Sequence, residues 1–295
     1  MASPSTSSAP RTAPGKLRVL LEMIKWEHTV FALPFAYAGM LAAPIPFSVW
    51  NLVWITGAMI GARTAAMTLN RIIDAKMDAK NPRTADRAIP RGLIGLREAW
   101  IFTGAAIALL VLATFFLAPI TRVLWPLVIL GFVVYPYTKR FTWLCHLALG
   151  IANGLAPGAA WVAVTGEVSW TPALIWAGAA LWVAGFDVIY ALLDRDFDLE
   201  NRVNSLPVRF EVGPALVVAR IWHALSVAFL VAFGVAAGLG IVYYLGVVVV
   251  AWLLFYEHAL VRKDDLSKLD MAFFTMNGVI SLIFFAFVLL DRVIG

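Results

Sequence analysis

Asp74 and Asp78 stand one helical turn apart at the end of an apolar run that begins near Phe47, and Arg83, Arg87 and Arg91 follow in the segment KNPRTADRAIPRG. A second apolar run closes in the same way, with Asp187, Tyr190, Asp194 and Asp198. At 100° per residue, Arg63, Asn70, Asp74 and Asp78 fall within about 80° of one another on one helix, and the second set spans about 80° on another. Two carboxylates one turn apart suit a hard cation: Mg²⁺ takes oxygen ligands, keeps waters and is commonly completed by substrate phosphates. Two such stripes facing each other would hold Mg²⁺ and, through it, a diphosphate. Arg83, Arg87, Arg91, Lys139 and Arg140 would then be the remaining countercharge, placed to grip phosphate oxygens. An Asp late in a helix opposes the macrodipole, so these positions are not a structural convenience.

The elements that carry these residues are greasy. The chain has 295 residues, 62% hydrophobic and 14% charged, with mean hydropathy +0.85. A soluble domain is typically about 45–50% apolar and about 25% charged, so the sequence predicts an all-α, polytopic membrane protein. Apolar runs and their breakers give nine transmembrane helices, at 28–44, 47–76, 98–118, 121–138, 142–164, 172–196, 212–237, 240–261 and 269–291. The second and sixth outlast a bilayer crossing and should emerge as water-exposed extensions. A charge at mid-membrane costs at least ~2.5–3.5 kcal/mol, so the polar stripes must face a cavity inside the bundle. Residues 1–16, rich in Ser, Pro and Ala, read as a disordered tail, and 17–295 as one transmembrane domain. Asp74, Asp78 and Asn81 recur 120 residues later as Asp194, Asp198 and Asn201, which suggests pseudo-repeats over roughly 20–140 and 141–261 plus a final helix.

Net charge +5 does not call for a nucleic-acid partner, because the positive-inside rule explains it. Of the 23 Lys and Arg residues, only Arg122 and Arg292 fall on the far side, and Arg63 and Arg220 lie within spans. The N-terminus and the loops that bear the chemistry are therefore expected in the cytoplasm, and the C-terminus outside. The single Cys145 excludes an intrachain disulfide and a thiolate metal cage. The chain has no Walker A and no HExxH sequence, and its four His show no metal-binding pattern. They read as interfacial or hydrogen-bonded core residues. For Asp187, the deepest acid, a buried ion pair with Arg63 competes with a catalytic role. Most other loop cations read as membrane anchors.

These residues resemble the UbiA superfamily of intramembrane aromatic prenyltransferases, in particular its 4-hydroxybenzoate polyprenyltransferase group. Asn70-Arg-Ile-Ile-Asp74-Ala-Lys-Met-Asp78 is similar to the family's NxxxDxxxD motif, and NPRTADRAIPRG to the loop after it. Tyr135-Pro-Tyr-Thr-Lys139-Arg140 resembles its YxxxK element, and Asp187-Val-Ile-Tyr190-Ala-Leu-Leu-Asp194-Arg-Asp-Phe-Asp198 its second acidic motif. At position 71 the chain carries Arg where many members carry Asp, so no acid role transfers there. Relatives sharing "IKWEHTVFALPFAYAG" and "FDVIYALLD" include those associated with the futalosine route to menaquinone, which leaves the acceptor open.

The resemblance implies nine helices around a central cavity, capped by cytoplasmic loops and open sideways to lipid, in a bacterial-type inner membrane. It implies transfer of a polyprenyl group from polyprenyl diphosphate to the ring carbon of an aromatic acceptor such as 4-hydroxybenzoate, in quinone biosynthesis. Mg²⁺ would sit on Asp74, Asp78, Asp194 and Asp198, with Asn70, Arg83, Arg87 and Lys139 on the diphosphate. Arg140 or Arg63 would hold the acceptor carboxylate, Tyr135 and Tyr190 would shield the allylic cation, and Asp187 would orient the phenol or take its proton. The lipid bilayer is the expected surrounding, and no obligatory protein partner is evident. The rival reading is a secondary transporter with a cytoplasm-facing site for an anionic substrate, since internal repeats and intramembrane acids occur there too. Transporters place sites at the midplane on broken helices, whereas here the polar groups crowd one mouth. A CDP-alcohol phosphotransferase would need DGxxAR, which is missing. Soluble prenyl diphosphate synthases share the paired acids but not the hydropathy.

Overall fold

The computed structural model of the chain describes residues 15–261, 266, 269 and 275–294, with residues 26–31 described by their backbone alone. It is all-α among those residues. The helices are α1 (Lys16–Met23), α2 (Trp26–Ala42), α3 (Val49–Asp78), α4 (Leu96–Thr114), α5 (Thr121–Thr138), α6 (Cys145–Asn153), α7 (Ala156–Thr165), α8 (Trp170–Ala191), α9 (Arg195–Glu200), α10 (Leu206–Phe210), α11 (Val212–Ala236), α12 (Ile241–Leu260) and α13 (Asn277–Ile294). Among the described residues eight spans are long and apolar enough to cross a membrane, counting α6 with α7 and α8 with α9; the 17-residue α2 lies where the first of the nine expected runs falls.

The helices close into a ring. Helix α2 packs on α3, α3 on α4 and α5, α5 on α6, and α6 on α8. The path continues through α11, α12 and α13 back to α2, with α7 wedged between α2 and α8. Arg292, in the last turn of α13, fastens this closure by donating Nε to the Leu41 carbonyl at 3.1 Å and Nη2 to the Ala42 carbonyl. Those are among the orphan carbonyls at the end of α2.

Close packing here depends on small residues. A Cβ on Gly150 would lie 2.2 Å from the Ala180 carbonyl oxygen, and one on Gly154 would lie 2.4 Å from the Ala180 nitrogen. Helices α6 and α8 therefore touch backbone to backbone. Glu257 on α12 is a different feature. It is 0% exposed, and both carboxylate oxygens lack a hydrogen-bond partner among the described residues.

Four sequence expectations are corrected. The run 142–164 is two helices, because Gly154 and Pro157 interrupt it: Pro157 has no N–H for the carbonyl four residues back, and its ring crowds that carbonyl. The sixth run is not one straight rod, since Leu192–Asp194 tighten into a 3₁₀ turn before α9, so Asp194 and Asp198 leave the ideal α-helical phase of Asp187. The end of α3 is exposed on one face only: Lys76 is exposed, whereas Asp74 is 2% and Asp78 6% exposed. Lys16, read as part of the tail, instead opens α1, which lays Val19 against Ile94 and Ala99. The tail up to residue 14, much of the loop holding Arg262, Lys263 and Lys268, the start of the last run and the His28 side chain lie outside the described residues.

Candidate active site

Helix α3 delivers the first acidic stripe beneath a cap formed by residues 79–95. The cap is a succession of tight turns. Thr84 N–H donates to Asn81 O at 2.9 Å, Arg87 N–H to Thr84 O at 3.0 Å, and Arg91 N–H to Arg87 O at 3.1 Å. The Thr84 hydroxyl donates to the Asp78 carbonyl at 3.0 Å, which ties the cap to the helix end. Ile94, 1% exposed, anchors its far side.

Asp74, Asp78 and Asp194 are each met by a cation from another element. Asp74 Oδ2 accepts from Lys139 Nζ at 2.6 Å and from Asn70 Nδ2 at 3.1 Å. Arg140 Nη2 lies 3.7 Å from Asp74 Oδ1 and donates to the Ile73 carbonyl at 3.0 Å. Asp78 Oδ1 accepts from Arg87 Nη1 at 2.7 Å. Asp194 is gripped by the guanidinium fork of Arg83, with Nε at 2.8 Å from Oδ1 and Nη2 on Oδ2, and Asn81 Nδ2 reaches the same Oδ1 at 2.8 Å. Arg83 Nη1 also donates to the Tyr190 hydroxyl at 2.7 Å, and its guanidinium lies 4.9 Å from that ring's centre. Burial lowers the basicity of Arg83, but the bonds to Asp194 and Tyr190 outweigh it and hold the group above its ordinary value.

The structure thus brings the two acidic helix ends to one patch of the cap. Asn81 and Arg83 come just after Asp78 and bond Asp194, 113 and 111 residues away. Asp198 is buried on α9, within electrostatic reach of Lys139. Tyr135 is buried on α5. Arg63, deeper on α3, has a buried Nε without a hydrogen-bond partner among the described residues.

The Arg63–Asp187 ion pair weighed from the sequence is not what the structure shows. Asp187 Oδ2 is 2.7 Å from His146 Nδ1 instead. His146 is the clearest residue that sequence reasoning missed as part of the site. A lone His with no spacing pattern offers no signal, and its partners are 41 and 60 residues away. Asn81 was visible only as part of the repeat, and Arg71, buried on the same side of α3 as Asp78, only as a departure from the family pattern.

The donor set fits a divalent cation shared with substrate oxygens. Asp74 Oδ1 and Asp78 Oδ2 are buried and accept no hydrogen bond, so each acid keeps an unused ligand atom on an all-oxygen site of the type Mg²⁺ prefers. Among the described residues no three His, Cys, Asp or Glu side chains form a metal cage by themselves. The remaining ligands would have to come from water and phosphate.

Comparisons with known proteins bear on the family and the fold. The profile of the UbiA prenyltransferase family matches residues 32–284. The 4-hydroxybenzoate octaprenyltransferase of Vibrio campbellii is 32% identical over 263 residues, covering 87% of this chain and 88% of that protein. The apo structure of a UbiA homolog from Aeropyrum pernix K1 superposes with a TM-score of 0.79 at 33% identity, over 90% of this chain and 98% of that one. A UbiA homolog from Archaeoglobus fulgidus, solved with GPP and Mg²⁺, shares the fold with a TM-score of 0.66 at 21% identity, over 95% of this chain and all of that one.

Proposed function

The chain belongs to the UbiA prenyltransferase family, and from that premise we propose that it transfers a polyprenyl group from polyprenyl diphosphate to the ring carbon of a hydroxy-aromatic acid, most simply 4-hydroxybenzoate, in quinone biosynthesis. The observation that carries the reading is the bridge from Asn81 and Arg83 to Asp194. With the Arg87–Asp78 and Lys139–Asp74 pairs, it supports a single cluster of three acids and three loop cations beneath the cap.

We assign metal holding to Asp74, Asp78, Asp194 and Asp198. Bound Mg²⁺ would supply charge neutralisation for the diphosphate. The chain's own residues do the rest. Asn70 orients Asp74 through its 3.1 Å bond. Lys139, Arg83 and Arg87 exchange their carboxylate partners for phosphate oxygens when substrate enters, and they take up the negative charge that grows as the C–O bond breaks. Preorganised charge aimed at the transition state is generally the largest catalytic contribution. Tyr190, already under the Arg83 guanidinium, and Tyr135 present ring faces to the allylic cation. Arg63, with its unused Nε, holds the acceptor carboxylate at depth, and Arg140 does so nearer the mouth. Asp187 accepts the phenolic proton.

The chain is a multi-pass membrane protein. We read it as a single domain of two pseudo-repeats, with the N-terminus and the cap in the cytoplasm and the C-terminus outside. The break between α6 and α7 is a feature shared with transporters, but the acids gather at helix ends instead of at that break. The test uses membranes containing the protein, a radiolabelled prenyl diphosphate and a panel of hydroxy-aromatic acids. Transfer is expected to vanish with EDTA and in Asp74→Asn and Asp194→Asn. Normal prenylation by either variant would refute the metal assignment, and uptake of a solute without prenyl transfer would overturn the enzyme reading.

A further inference from the structure

His146 sits at the start of α6 and is 3% exposed. Its two ring nitrogens have different duties. Nε2 lies 3.2 Å from the backbone nitrogen of Leu206, which can only donate. Nε2 is therefore the lone-pair nitrogen, the proton is on Nδ1, and the ring is neutral. That Nδ1–H points at Asp187 Oδ2, 2.7 Å away. That bond occupies one oxygen of Asp187, and Oδ1 is left without a protein donor among the described residues.

The far end of this chain of bonds is also anchored. Leu206 is 0% exposed and opens α10. Two residues earlier, Asn204 N–H donates to the Lys139 carbonyl at 2.8 Å, and its own carbonyl accepts from the Cys145 thiol at 3.3 Å. The 204–206 segment therefore touches the residue that holds Asp74 and the residue that holds Asp187. We infer that His146 is a positioning residue: it holds Asp187 by one oxygen as the proton acceptor, leaving the other for the aromatic substrate, and it ties that acceptor to the segment that also fixes Lys139.

This inference rests on the prenyl-transfer reading for its kinetic consequence only. Loss of a hydrogen bond to a charged group, converted through the rate law, predicts a fall in kcat of about 10- to 100-fold for His146→Ala, with KM for the prenyl diphosphate unchanged. His146→Asn places an amide N–H where Nδ1–H stands and is expected to recover most of kcat, although it leaves Leu206 N–H unpaired. His146→Gln keeps polarity at the Nε2 position and is expected not to recover it. If Asn were as slow as Ala, or if kcat across the three variants simply followed their thermal stability, His146 would be structural only and the inference would fall.

A second measurement does not depend on turnover. In ¹⁵N-histidine-labelled full-length protein in lipid nanodiscs, the ring signals absent from His146→Asn must report a neutral Nδ1–H tautomer. An Nε2–H tautomer or an imidazolium would overturn the inference. Wild-type protein that prenylated no acceptor would instead refute the functional reading, while the tautomer result still decided the role of His146.

Discussion

Removing Arg83 should tighten metal binding while slowing the reaction, and these opposite signs follow from its position. In the ligand-free protein Arg83 competes for Asp194 through two charge-assisted bonds, Nε at 2.8 Å and Nη2 on the other oxygen. Such bonds contribute ~1.5–3 kcal/mol each when buried. The Arg83 side chain is 31% exposed and that of Asp194 18%, so solvent screening brings each down to about 0.5–1 kcal/mol. A competing interaction of ~1–2 kcal/mol, at 1.4 kcal/mol per decade, corresponds to about 5- to 30-fold tighter divalent-ion binding in Arg83→Ala. Turnover moves the other way. Loss of one preorganised donor to a developing charge typically costs about 10²–10³ in kcat. The assay pairs Mn²⁺ titration of nanodisc-embedded protein, followed by electron paramagnetic resonance of the free ion, with single-turnover prenyl transfer. Metal binding weaker than wild type, or unchanged turnover, would refute the reasoning that Arg83 is both plug and catalytic cation.

Two further predictions concern stability. Gly150→Ala would force a Cβ to within 2.2 Å of the rigid Ala180 carbonyl oxygen, so α6 and α8 must part, at a cost of about 1–3 kcal/mol; denaturation in mixed micelles should show it, and an unchanged midpoint would mean that the helices have slack. Glu257→Met removes two buried oxygens that accept nothing and should raise stability by ~1–3 kcal/mol in the same experiment; a loss would show that Glu257 is held by something essential.

The acidic stripes were legible in the sequence because a carboxylate inside an apolar run is costly and stands out against its neighbours. The spacing of Asp74 from Asp78 survives intact in α3, because a continuous α-helix preserves angular phase. It does not survive between Asp187 and Asp194, where the 3₁₀ turn intervenes; that tightening coincides with cross-links to Asn81 and Arg83, which no local pattern encodes. The break of the fifth pass could have been read from Gly154 and Pro157, but Pro34, Pro126 and Pro136 lie inside helices that continue past them, so proline alone does not decide. The partner of Asp187 was out of reach. Arg63 and His146 were both available by composition, and only the tertiary path of α6 past α8 selects the histidine.

Arg292 has a consequence for how the protein is made. Helix α2 is synthesised long before α13, yet its terminal carbonyls are satisfied by a side chain in the last turn of α13. A nascent chain therefore holds every residue of the acidic cluster well before Arg292 arrives to close the ring. Loss of that one turn would leave a full complement of reactive groups in a barrel with one loose stave.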